Sequence, residues 1–324
     1  AAAMATLMGQ EGDSGNKVNL NGTFTATVDS GSVAASHLTT ISAKTTGNIT
    51  ATGVTALTGT AAEINTLVDD ESDSSDGVNL DTDYAATISD TDIAASVLNT
   101  LNGNVPGLIT ATTVTNLTGT AAAMATLMGQ EGDSGNKVNL NGTFTATVDA
   151  GSVAAADLNT ISAKTSGLIS ASTVTQITGT AAAVNTLIGD EADAGNGVNL
   201  DSNFLVTLAA GSASASHVNT INNKTTGLVT ATAVTELTGT ASDINTLVGN
   251  EGDTGNAINL NTTYTATIND TSLSASVLNT LNGNVPGLVT ATSVTDLTGT
   301  AAAMATLMGQ EGDSGNKVNL NGTF

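Results

Sequence analysis

Leu57-Thr58-Gly59-Thr60-Ala61-Ala62-Glu63-Ile64-Asn65-Thr66-Leu67-Val68 decides how this chain is read. Thr60 and Glu63 have the spacing of a capping box, with the Thr hydroxyl on an early helix amide and the Glu reaching back. Ile64, Leu67 and Val68 then fall at i, i+3 and i+4, one face of a short helix. Leu-Thr-Gly-Thr or Ile-Thr-Gly-Thr closes again at Thr120, Thr180, Thr240 and Thr300, an interval that never varies. The chain is therefore one unit repeated, with no insertion or deletion between copies. The units are 1–60, 61–120, 121–180, 181–240 and 241–300, with a partial sixth at 301–324. Ala1–Phe24, Ala121–Phe144 and Ala301–Phe324 are identical. Both ends fall inside a unit, which reads as a window cut from a longer array.

Working outward, Phe24-Thr-Ala-Thr-Val28 alternates with period two and Asn48-Ile-Thr-Ala-Thr52 is similar, so both predict strands. A second helix is expected from near Ser32 or Asp92, carrying Val33, Leu38 and Ile41 or Ile93, Leu98 and Leu101. Gly47, Gly107, Gly167, Gly227 and Gly287 punctuate every copy, as a turn with positive φ would require. Unbroken spacing means that each copy meets its neighbour in the same way. The fold class this predicts is an α/β repeat solenoid, short strands alternating with short helices in an elongated rod; an all-β solenoid is the alternative. The helices are too short to stand without neighbours.

Composition excludes several functions. Six Lys, no Arg and 29 acidic residues give a charge of −23, the wrong sign for nucleic acid. With no Cys there are no disulfides or thiolate metal sites. No apolar run approaches the length of a membrane span. Catalysis finds no constellation. The two histidines, His37 and His217, share a slot that holds Val97, Asp157 and Val277 elsewhere, so they read as partly exposed helix residues. An enzyme is not expected.

The aromatics, Phe24, Tyr84, Phe144, Phe204, Tyr264 and Phe324, occupy one slot and read as core fillers, with a row of sugar-binding rings as the alternative. The strictest constellation is acidic. Its members are Glu11, Asp13 and Asn16; Glu71, Asp73 and Asp76; Glu131, Asp133 and Asn136; Glu191, Asp193 and Asn196; Glu251, Asp253 and Asn256; and Glu311, Asp313 and Asn316. Hard oxygen ligands in a Gly-bearing loop are what Ca²⁺ selects. A solvated turn leading into Val18-Asn19-Leu20 is the other reading, with Asn19 and its counterparts at a corner. Nothing basic recurs beside the loop, since Lys17 gives way to Gly77, Gly197 and Ala257. Asn-x-Ser/Thr triplets at Asn21, Asn48, Asn116, Asn141, Asn223, Asn261, Asn269 and Asn321 arise readily in a chain so rich in both residues.

Ser152-Val-Ala-Ala-Ala-Asp-Leu-Asn-Thr-Ile161, Lys164-Thr-Ser-Gly-Leu-Ile-Ser-Ala-Ser-Thr-Val174 and Thr240-Ala-Ser-Asp-Ile-Asn-Thr-Leu247 resemble the repeats of giant cell-surface proteins of marine cyanobacteria and other aquatic bacteria. That type includes the very large surface protein associated with non-flagellar swimming. The resemblance implies an acidic, cysteine-free extracellular array, with calcium dependence and glycosylation among its traits. The function expected is structural: a rod, filament or surface layer built by end-to-end and lateral self-association. A calcium-dependent adhesin stalk or glycan-binding module is the alternative.

Overall fold

A computed structural model describes residues 1–12, 15, 17–71, 77–191, 197–252 and 254–322. The described chain alternates short strands and short helices, 25 and 11 of them. It divides into two compact units, Ala1–Asp149 with Ala163–Ile169, and Ala150–Ser162 with Ser170–Phe324.

Each repeat contains two helices. They start at Ala35 and Ala61 and then at Ala95 and Ala121, so a shorter and a longer connection alternate along the chain. The capping box forms as its spacing predicts: Glu63 N–H donates to Thr60 Oγ1 at 3.2 Å, and Thr60 N–H to Glu63 Oε2 at 2.8 Å. Ile64 and Leu67 are buried on the resulting helix Ala61–Asp69. The second helix starts later than expected, at Ala35 or Ala95, because Gly31–Ala34 and Asp92–Ala94 are strands. Val33 and Ile93 thus reach the core from a strand.

All named strand pairs are parallel. One five-stranded ladder runs Gly31–Ala34, Val54–Gly59, Ala85–Ile88, Ile109–Ala111 and Val138–Leu140. Its register pairs Ser32 with Ala56, Ala56 with Ala85, Ala86 with Ile109 and Ile109 with Val138. Each step therefore crosses from one half of a repeat to the next and drifts toward an earlier strand slot. After five slots the ladder ends, while another has started at Asp92–Ala94. The second compact unit repeats this with ladders that start at Gly151–Ala154 and Gly211–Ser214.

The strands alternate inward and outward. Leu57, Ala86, Ile109 and Val138 are buried in register. The adjacent row, Ala34, Thr58, Thr87, Thr110 and Asn139, stays outside the core. Asn139 is thus mid-strand, not at the corner expected for its slot. Helices cover the sheets, and within each compact unit successive helices pack on one another. Leu38, Ile41, Leu98 and Leu101 are fully buried between these layers, each stabilising by about 1.5–3 kcal/mol. Small Ala35, Ala61 and Ala95 at the helix starts keep the core thin. Among the described residues no helix is long and apolar enough to cross a membrane.

Candidate functional site

The acidic loop is pinned at its base in every copy. Glu11 bridges Val18, and Glu71, Glu131, Glu191, Glu251 and Glu311 repeat the bridge with Val78, Val138, Val198, Ile258 and Val318. Gly132 N–H donates to Val138 O at 3.1 Å. Asp13, Asn16, Asp73, Asp76, Asp193, Asn196 and Asp253 lie outside the described residues. Where the loop is described, Asp133, Asn136, Asn256, Asp313 and Asn316 are exposed. Asn136 turns its amide inward, Nδ2 donating to Val105 O at 3.2 Å. Among the described residues no three His, Cys, Asp or Glu side chains converge as metal ligands.

The loop's Glu does have basic neighbours, contrary to the sequence expectation. Lys44 reaches Glu11 at 3.7 Å, Lys164 reaches Glu131 at 3.4 Å and Lys224 reaches Glu191 at 3.8 Å. Folding brings each Lys back from the end of the following helix. These pairs are half-exposed and individually worth about 0–1 kcal/mol.

In the two remaining copies the Lys slot holds Asn104 or Asn284, and the aromatic is Tyr. The Tyr84 hydroxyl then lies 3.4 Å from Glu71 Oε2 and 3.5 Å from Asn104 O, and the Tyr264 hydroxyl 3.4 Å from Asn284 O. A neighbouring slot changes with them. Where the aromatic is Phe, Thr45, Thr165 or Thr225 donates its hydroxyl to the Phe carbonyl and accepts from Gly47, Gly167 or Gly227 N–H at 2.9–3.0 Å. Where it is Tyr, that Thr is Val105 or Val285, followed by Pro. Gly107 and Gly287 N–H then donate straight to the Tyr carbonyl, at 3.0 and 3.1 Å. Phe–Lys–Thr and Tyr–Asn–Val–Pro are two wirings of one corner.

The corner also corrects the reading of its glycine. None of Gly47, Gly107, Gly167, Gly227 and Gly287 has positive φ. Gly is needed because the aromatic residue's carbonyl sits where a Cβ would go, 2.6 Å away at Gly107.

Tyr84, Phe144, Phe204 and Tyr264 are buried, as core fillers should be, Phe24 is half-buried, and Phe324 lies outside the described residues. Burial raises the Tyr264 hydroxyl to a pKa of about 12, with the Glu251 charge adding to it; Tyr84 shifts in the same direction, first by burial and then by Glu71. The unfolded tyrosine ionises near pH 10. Above that pH the unfolded chain sheds a proton that the folded chain retains. The tyrosine's contribution is therefore complete below about pH 10 and lost as pH rises toward about 12. Tyr264→Phe is expected to flatten the alkaline limb of a stability–pH curve measured by urea unfolding, whereas an unchanged slope between those pH values would contradict the assignment.

In two copies a Ser–Asp hydrogen bond joins successive helices. Ser42 Oγ donates to Asp70 Oδ2 at 2.5 Å, and Ser162 Oγ to Asp190 Oδ2 at 2.9 Å. Where the Ser slot is Asn102, Asn222 or Asn282, all buried, the Asp slot is an amide: Gln130, Asn250 or Gln310. Helix starts are also served from the next half-repeat: Asp90 Oδ2 accepts from Ala61 N–H, and Asp270 Oδ2 from Ala241 N–H, both at 2.8 Å.

The groove between helices Ala35–Ser42 and Ala61–Asp69, about 470 Å³, is lined by Ser36, Thr39, Thr40, Lys44, Glu63 and Thr66. Its Thr hydroxyls donate to carbonyls one turn back, Thr40 at 2.6 Å and Thr66 at 2.9 Å. His37 and His217 are partly exposed on their helices, as expected. No protein family, curated protein or solved structure shows a match to this chain.

Proposed function

We propose that this chain is a structural repeat protein, an α/β solenoid whose units build an extracellular rod or filament. The observation that carries the reading is the pair of interchangeable corner wirings. Chemistry varies from copy to copy, Lys for Asn and Phe for Tyr, yet the corner carbonyl keeps a donor in both wirings, and the loop's Glu meets Lys at Glu11, Glu131 and Glu191 and the Tyr84 hydroxyl at Glu71. What the copies preserve is neighbour-to-neighbour packing, the property from which a solenoid draws its stability. A charge of −23 suits a solvated surface, and the extracellular setting rests on the family resemblance. Open ladder edges offer backbone groups for self-association. The buried aromatics weigh against a ring row that reads glycans. Calcium gains no support from copies in which Lys already holds the Glu.

Small-angle scattering on the purified chain tests the reading. A rod-like cross-section is expected, whereas a compact particle with a radius of gyration of about 20 Å would overturn it.

A further inference from the structure

The corners that precede Phe24 and Phe144 carry a reactive arrangement. Asn141 Oδ1 accepts from Thr143 N–H at 3.2 Å and from Thr143 Oγ1 at 2.9 Å. Asn21 Oδ1 does the same with Thr23, at 3.2 and 3.0 Å. Between them sits Gly142 or Gly22, exposed and with nothing within 4 Å of where a Cβ would be. Among the described residues, no group accepts the Gly142 or Gly22 N–H. An unhindered nucleophilic amide therefore adjoins a carbonyl whose oxygen already holds two donors.

We propose that Asn21 and Asn141 are built-in sites of spontaneous deamidation, activated by the Thr two residues on. Base removes the Gly142 amide proton, and the nitrogen attacks Asn141 Cγ. Negative charge gathers on Oδ1, where the two Thr143 donors stabilise it as an oxyanion hole does. The Cγ–Nδ2 bond breaks, the amide nitrogen takes a proton from water and leaves as ammonia, and a succinimide ring remains. Water opens the ring at either carbonyl, giving aspartate or isoaspartate. Two conversions add two negative charges to the −23 already present.

The same slot already holds aspartate in two copies. Asp201 Oδ1 accepts from Asn203 N–H at 3.2 Å, and Asp81 Oδ1 from Thr82 N–H at 2.7 Å, so the aspartyl product fits. Isoaspartate does not, because its extra main-chain carbon falls where Phe144 N–H donates to Asn141 O and Ser166 N–H to Gly142 O. Each conversion thus either adds a carboxylate or loosens a corner.

The chain supplies two kinds of control. Asn261 has the same pair of donors from Thr263, both at 3.0 Å, but β-branched Thr262 replaces Gly. Asn102-Gly103 and Asn282-Gly283 have the dipeptide, but lie inside helices with the Asn buried. The test is peptide mass spectrometry on the whole purified chain, held at 37 °C in mildly alkaline buffer and sampled over time. Asn21 and Asn141 are expected to turn acidic at least about tenfold faster than Asn261, with Asn102 and Asn282 unchanged. Thr143→Val should slow Asn141 by about tenfold, below the 10²–10³ of a buried oxyanion donor because this corner is wet. Thr143→Ser should restore the rate, with Asn21 in the same molecule as reference. Conversion of Asn21 and Asn141 no faster than Asn261, or an Asn141 rate indifferent to Thr143→Val, would overturn the proposal.

Discussion

Gly107→Ala is expected to destabilise its corner by about 3 kcal/mol, the upper part of the overpacking range. The new Cβ would stand 2.6 Å from Tyr84 O and 3.0 Å from Asp83 O, both backbone atoms with no rotamer to move. The φ of Gly107 is not positive, so alanine suffers no intrinsic backbone strain there. The whole effect is steric. Relief would require pulling Gly107 N–H off Tyr84 O, a 3.0 Å hydrogen bond at the core's edge. Gly142→Ala is the control, since nothing lies within 4 Å of its added carbon; its effect should stay within about 0.5 kcal/mol. Urea midpoints compare the variants. Exchange of the Ile109 amide, which donates to Lys137 O at 2.8 Å just past the corner, reports the site even if the repeats unfold in stages. Equal behaviour of the two variants would mean that close approach is not what fixes glycine in this slot.

Met128→Ala should cost about 3 kcal/mol and Met308→Ala less than about 0.5 kcal/mol. The two methionines sit in the identical stretches Ala121–Phe144 and Ala301–Phe324, on helices of the same length, Ala121–Gln130 and Ala301–Gln310. Met128 is 1% exposed and Met308 43%. Because the local sequence is the same, changes in helix propensity and in the unfolded chain cancel in the comparison. What remains is the cavity left at one site and not at the other. Thermal or urea unfolding of the two single variants measures the difference directly. Similar losses would show that burial at Met128 contributes little, and that these helices are held mainly by their backbones and caps.

The parts of this fold that were legible in the sequence are those set within a few residues. Thr60 and Glu63 announce a helix start because both partners of the box lie in one turn. Ile64 and Leu67 announce its buried face for the same reason. Strand pairing was not legible. Ala86 meets Ile109 and Ile109 meets Val138 with another strand and a whole helix in between each time, and alternation within a strand does not disclose its partner. The late start of helix Ala35–Ser42 has a similar origin, since Val33 fits a helical face by spacing but is held by Leu57 across a ladder.

The basic neighbours of the loop's Glu are not legible slot by slot. Lys44 giving way to Asn104 reads as indifference until Phe24 giving way to Tyr84 and Thr45 to Val105 are set beside it. Taken jointly, those substitutions are compensated at the Glu and at the corner carbonyl. The glycine of the same corner shows the opposite limit. Recurrence indicated a constraint, but which constraint depended on the Tyr84 carbonyl, separated from Gly107 by an entire helix.

The staggered ladders bear on how such a chain would carry a load. In the first compact unit one ladder spans Gly31 to Leu140, and the next has begun at Asp92 before the first is finished. In the second, ladders spanning Gly151–Leu260 and Gly211–Leu320 overlap in the same manner. This is the running bond of a brick wall, in which no joint continues from one course to the next. Within either unit, a crack opening between two half-repeats where one ladder starts or ends meets the overlapping ladder unbroken. Tension is then shared among courses, and rupture must cut several rows of backbone hydrogen bonds together.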